Sequence, residues 1–144
     1  MKVNIKLLNE YAKVPTRGSE DAAGYDLYAA IPEIVAIPPR GIKRIGSGVS
    51  IELPKGTFGG IFARSGLAAK EGLRPANCVG VCDSDYRGEY ITAVFNDSDE
   101  TRYIHPGDRI AQLVILPFVS VEFNEVNELS DTERGDGGFG HTGK

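Results

Sequence analysis

The chain is short of residues on which several kinds of protein depend. It has two cysteines, Cys78 and Cys82, and two histidines, His105 and His141. If the segment joining the cysteines is extended, four residues at ~3.3 Å each hold them about 13 Å apart, too far for a bridge. A disulfide scaffold is excluded, a reducing compartment such as the cytoplasm fits, and both cysteines read as small buried strand residues. Four Cys and His side chains at these spacings do not suit structural zinc. No apolar run approaches the ~20 residues of a membrane span, and no basic-then-apolar signal opens the chain. Positive charge is not in excess either: 16 Lys and Arg face 20 Asp and Glu, a net charge of -4. That balance excludes a general binder of nucleic-acid backbones. There is no Walker A sequence, so P-loop phosphate chemistry lacks support.

What is present is a chain of 144 residues, 41% apolar, enough for one domain with a real core. Its 18 glycines and 8 prolines make up about 18% of it, against ~12% on average. This favours short strands and many turns. Val3 to Leu7, Val49 to Leu53 and Val119 to Phe123 alternate apolar and polar residues, as half-buried strands do. Tyr90 to Phe95 and Ile110 to Leu116 are more continuously apolar and read as strands covered on both faces. Turn signals separate them at Pro38 to Gly41, Pro54 to Gly56, Asn96 to Asp99 and Pro106 to Asp108. Only Gly66 to Gly72 looks helical, with room for about two turns. The expected fold is a single all-β domain, a β-sandwich or jelly roll with one short helix.

The tail from Leu129, LSDTERGDGGFGHTGK, has almost no apolar content. It reads either as a frayed terminus or as a flexible arm that closes over a ligand. Arg134 suits phosphate, Phe139 offers a stacking face, and the glycines let backbone N–H groups approach an anion. Gly135, Gly137 and Gly140 match the letters GxGxxG by accident, since that pattern works only between a strand and a helix. Four further segments place polar groups where a β protein has core or plain turn. Ala23-Gly24-Tyr25-Asp26-Leu27 sets one carboxylate in an apolar stretch. Arg64-Ser65-Gly66 offers a guanidinium, a hydroxyl and an N–H ahead of the helix, which is either an anion site or a Ser N-cap beside a solvated Arg. Val79 to Glu89 reads as a β-hairpin with Asp83 and Asp85 on one face, a metal or base pair, or else a solvated acidic turn. Gln112, within Gly107-Asp108-Arg109-Ile110-Ala111-Gln112-Leu113, is an amide that needs a partner if buried.

Taken in order, Asp26, Arg64-Ser65-Gly66, GVCDSDYRGEY around Asp83, Gln112 and RGDGGFGHTG from Arg134 resemble all five motifs of the trimeric dUTPase family. The resemblance covers nearly the whole chain. It implies a jelly-roll body over 1–128, and an arm over 129–144 that closes over an active site. It also implies a homotrimer whose active sites are shared between subunits, and hydrolysis of dUTP to dUMP and pyrophosphate. That activity limits uracil incorporation into DNA and supplies dUMP.

By the same resemblance Asp83 is the general base for a water attacking the α-phosphorus, a weak base that relies on positioning. Arg64, Ser65, Gly66 and Gln112 bind phosphates. Arg134 clamps the terminal phosphate, Phe139 stacks on uracil, and Gly140, His141 and Thr142 donate to the γ-phosphate. Asn77, Val81 and Cys82 read the uracil edge, and Tyr86 lies under the sugar and excludes a 2′-hydroxyl. Mg²⁺ is held mainly by the substrate phosphates, with Asp26 in an outer shell through water or else a structural partner of an arginine such as Arg109. Three positions depart from the pattern: His141 stands for Ser, Ala63 for Pro, and Cys82 for Ile, the last a possible oxidation site. The alternatives are a dCTP deaminase-like enzyme, which needs a glutamate base and a different serine-rich motif, and a non-catalytic nucleotide-binding jelly roll.

Overall fold

Frequent turns cut the chain into short strands. Gly41 N–H closes on Pro38 O at 2.9 Å, Thr57 N–H on Pro54 O at 3.2 Å and Asp108 N–H on His105 O at 3.1 Å. A computed structural model describes residues 2–138. Its elements in order are β1 (Asn4–Leu7), β2 (Thr16–Arg17), β3 (Tyr25–Tyr28), β4 (Val35–Ile37), β5 (Ile42–Gly46), β6 (Val49–Glu52) and β7 (Thr57–Phe62). Then come α1 (Ser65–Glu71), β8 (Leu73–Pro75), β9 (Val79–Cys82), β10 (Ile91–Asn96), β11 (Arg102–Ile104) and β12 (Arg109–Pro117). The fold is a jelly roll. Its five-stranded sheet runs β2-β3-β12-β7-β9, a three-stranded sheet runs β5-β10-β8, and β1-β6 and β4-β11 form pairs. The strand pairs are antiparallel.

Side chains from facing strands fill two clusters. Leu27, Val49, Ile51, Ile61, Ala111 and Leu113 belong to one, with Cys82 and Tyr90. Ile37, Ile45, Leu73, Val94, Ile104 and Ile110 belong to the other. Each fully buried Leu or Ile contributes on the order of 1.5–3 kcal/mol. The helix begins after Arg64, which occupies the N-cap with extended backbone and no side-chain cap bond. It ends at Gly72, whose φ of 68° is left-handed and whose N–H returns to Ala68 O at 3.1 Å.

Several expectations need correction. Val119 to Phe123 is not a strand: Val119 is 85% and Phe123 95% exposed. Its alternation is real, but no strand among the described residues pairs with it. Val79 to Glu89 is not a β-hairpin. β9 pairs with β7 while β10 pairs with β5 and β8, so the segment between them passes from one sheet to another. Asp83 to Tyr86 is a turn, closed by Tyr86 N–H on Asp83 O at 3.1 Å, so Asp83 and Asp85 do not share a strand face. β10 alternates, with Thr92, Val94 and Asn96 buried and Ile91 exposed, rather than being covered on both faces. Ser65 is the first helical residue and not the cap. Cys78 is exposed in the turn before β9, at φ 61°, and only Cys82 is a buried strand residue.

Candidate active site

Three neighbouring strands of the large sheet set the first group of site residues side by side. Asp26 on β3 faces Gln112 on β12, and Gln112 faces Phe62 on β7, two residues before Arg64. Cross-strand partners point to the same side of a sheet, so the carboxylate and the amide share a face. Asp26 Oδ1 accepts from Arg64 Nε at 2.8 Å, and its Oδ2 from Arg109 Nη1 at 3.2 Å. The Asp26 side chain is only 14% exposed, so these contacts are better shielded than surface ion pairs. The Arg64 side chain is thus tied down rather than solvated. Arg109 makes the structural contact that its sequence position suggested, although Arg64 shares the carboxylate with it.

Gln112 finds its partner in Ala63 O, to which Nε2 donates at 2.8 Å. Its Oε1 fills the space over Gly24, where a Cβ would collide with it. Gly24 therefore seats Gln112, a role the sequence signalled only as a glycine two positions before Asp26. Asp26, Arg64, Ser65, Gly66 and Gln112 line one groove of about 800 Å³. Ser65 and Gly66 are exposed at its rim, at the start of the helix. Cys78 also lines it, which sequence reasoning did not anticipate. Two arginines, a hydroxyl, an amide and helix-end N–H groups make this groove suited to a polyanion.

The second group lies elsewhere. β9 is the edge of the five-stranded sheet, so one row of its backbone groups has no strand beside it among the described residues. Asn77 is exposed in the turn that leads into this strand, Val81 is 64% exposed on it, and Cys82 faces the core. Burial, then the nearby Asp83 carboxylate, pushes the Cys82 thiol up to about 11. Burial of the side chain and a thiol that holds its proton both argue against the reading of Cys82 as an oxidation site. Asp83 and Tyr86 are exposed in the turn beyond. Tyr86 packs on Tyr90 with ring centroids 6.1 Å apart, and its hydroxyl donates to Glu89 O at 3.1 Å.

The two groups do not meet within one chain. Phe62 pairs with Val79, and Gly59 with Cys82. Arg64 lies two residues past Phe62, beyond one end of this pairing, and Asp83 one residue past Cys82, beyond the other. Six extended residues at ~3.3 Å each separate them by about 20 Å. Of the third group, Arg134 lies in an exposed turn, its Nε donating to Gly137 O at 2.8 Å. Phe139, Gly140, His141 and Thr142 lie outside the described residues.

A jelly roll with a groove suited to a polyanion, where three strands meet a helix start, defines an anion-binding class of β protein. The comparisons narrow it. The dUTPase family model matches residues 10–143. A deoxyuridine 5'-triphosphate nucleotidohydrolase of Nautilia profundicola is 49% identical over 144 residues, covering 100% of both chains. One from Candida albicans is 46% identical, covering 99% of this chain and 88% of its own length. Among solved structures, a mutant dUTPase of Staphylococcus bacteriophage 80alpha with dUpNHpp superposes with a TM-score of 0.91 at 30% identity, covering 99% of each chain. A mutant dUTPase from phage phi11 of S. aureus, which coordinates a structural Mg(II) ion, has a TM-score of 0.79 at 28% identity over 89% of this chain and 98% of its own. The chain belongs to the dUTPase family.

Proposed function

We propose that this dUTPase hydrolyses dUTP to dUMP and pyrophosphate by attack of an Asp83-activated water on the α-phosphorus. The observation that carries the reading is the groove that gathers Arg64, Ser65, Gly66 and Gln112 around Asp26. Here the phosphates take the Ser65 hydroxyl, the Gly66 N–H, the Arg64 guanidinium fixed by Asp26, and the Gln112 amide. Water oxygen bonds to the α-phosphorus, the bond from that phosphorus to the bridging oxygen breaks, and the water's proton passes to Asp83. Pyrophosphate leaves and dUMP is released, which keeps uracil out of DNA and supplies dUMP.

Asp83 and the groove lie at opposite ends of the β7–β9 pairing, whereas an attacking water must lie within ~3.2 Å of its base and ~3.5 Å of the phosphorus. We therefore place Asp83, Tyr86 and the β9 edge of one subunit against the phosphate groove of another, in a homotrimer. The exposed Val119 to Phe123 alternation supports this, since it is a strand pattern with no pairing strand among the described residues. The arm from Leu129 then brings Arg134, Phe139, Gly140, His141 and Thr142 over the bound nucleotide. The free backbone row of β9 at Val81 and Cys82, with Asn77, reads uracil. Cytosine would leave polar groups unpaired there.

No group of three or more His, Cys, Asp or Glu side chains among the described residues could hold a metal ion. Both Asp26 oxygens already accept from arginines. The donor set thus fits an ion that arrives on the triphosphate, with Asp26 touching its shell only through water. Mg²⁺ bound in this way supplies charge neutralisation at the leaving pyrophosphate. Two free cysteines, one of them exposed, suit the cytoplasm, and no helix among the described residues is long and apolar enough to cross a membrane.

The test is a panel of dUTP, dCTP, dTTP and UTP with and without Mg²⁺. Pyrophosphate release from dUTP alone is expected, and ammonia release from dCTP would favour the deaminase instead. Asp83→Asn should bind dUTP while losing at least ~10²-fold in kcat, the low end for a general base. Near-normal turnover by that variant would remove Asp83 from the role.

A further inference from the structure

Gly88 is a glycine that its backbone does not require, because its φ lies outside the left-handed region. The space that a side chain would take is already filled. A Cβ built there lies 2.5 Å from Tyr86 Cζ and 2.8 Å from Cε2, and still closer to the phenol oxygen. Carbon atoms pack at ~3.5–4.0 Å, so the ring would have to move by about 1 Å. Gly88 is thus one wall of a seat. The ring of Tyr90, tilted by 32° with its centroid 6.1 Å away, is a second, and the carbonyl of Glu89, which accepts the Tyr86 hydroxyl at 3.1 Å, is a third. The seat is itself anchored, since Glu89 Oε1 accepts from Gly48 N–H at 2.8 Å. Held on these sides, Tyr86 keeps 43% of its surface open to solvent.

We infer that Gly88 is a specificity-positioning residue: its missing side chain fixes the height of the Tyr86 ring, and that height lets the site refuse a ribonucleotide. The inference rests on the proposed reading of Tyr86 as the surface beneath the sugar. A 2′-hydroxyl differs from hydrogen by one heavy atom, so a platform displaced by about 1 Å loses the discrimination.

Gly88→Ala should lower the ratio of kcat/KM for dUTP over UTP at least ~10-fold. In a Tyr86→Ala background, where no ring contests the space, the same substitution should change that ratio less than ~2-fold. A purely structural glycine would act alike in both backgrounds. Thermal denaturation of the same four proteins reads the seat without substrate: Gly88→Ala should lower Tm when Tyr86 is present and leave it nearly unchanged when it is not. Equal Tm losses in the two backgrounds would overturn the seat. A coupled Tm with an unaltered nucleotide ratio would overturn the specificity role. If the unsubstituted protein turns over neither nucleotide, the dUTPase reading fails and takes the specificity role with it, while the Tm cycle still decides the seat.

Discussion

Asp26 is where the residue scale matters most, because one carboxylate fixes two guanidiniums at the mouth of the groove. Removing it leaves Arg64 and Arg109 facing each other with their common anion gone. Asp26→Ala should therefore lose stability as well as dUTP affinity. In a double-mutant cycle the Arg64–Asp26 pair should show a coupling of about 1–2 kcal/mol, more than exposed pairs typically yield. Arg40–Asp99, with side chains 58% and 90% exposed, is the internal control, and its coupling should stay below ~0.5 kcal/mol. Equal couplings measured by urea unfolding would show that the Asp26 pair is no better shielded than the surface. The residue identities of the groove were legible in the sequence because each belongs to a short motif. Their contacts were not, since nothing in AGYDL or RSG says that Arg64 and Arg109 share one carboxylate, or that Gly24 exists to seat Gln112.

At the scale of the element, β9 shows what alternation does to chemistry. Val81 points out, Cys82 points in, and Cys78 sits in the turn ahead of the strand. Iodoacetamide should modify one cysteine of the native protein and two of the unfolded one, with mass spectrometry placing the native adduct on Cys78. Cys82 also gives stability a pH dependence of definite sign. Its folded pKa, about 11, lies above the ordinary thiol value of 9.0, so the unfolded chain loses its proton first. The contribution is fully present below pH 9 and is lost as pH rises from 9 to 11. Tyr90, raised mainly by burial, acts in the same direction at still higher pH. Urea midpoints should fall across this window, and Cys82→Val should flatten the early part of the fall. The strands themselves were mostly legible from alternation and turn residues. The β9 to β10 connection was not, because a turn-rich stretch between two apolar runs has the same local chemistry whether the runs pair together or enter different sheets.

For the whole molecule, three features belong together: a strand edge and an apolar alternation that find no neighbouring strand among the described residues, and an Asp83 turn set apart from the groove suited to phosphates. The sequence exposed them as motifs in a row, and motif order carries no distance, so it does not itself separate a site within one chain from a site shared between subunits. Mixing two inactive variants separates the possibilities. Asp83→Asn keeps an intact groove and lacks the base, while Arg64→Ala keeps the base and lacks the guanidinium. If each site lies within one chain, every chain in the mixture is defective and no activity appears. If each site takes its groove from one subunit and its base from the next, random exchange of equal amounts yields intact pairs. The groove must come from the first variant and the base from the second, each at even odds, so about one site in four of a closed ring is whole. Mixing unfolded chains and refolding them together should restore about a quarter of the normal dUTP turnover, whereas mixing the assembled variants briefly should restore almost none. Recovery that stays at the level of the separate variants after co-refolding would return the whole site to a single chain.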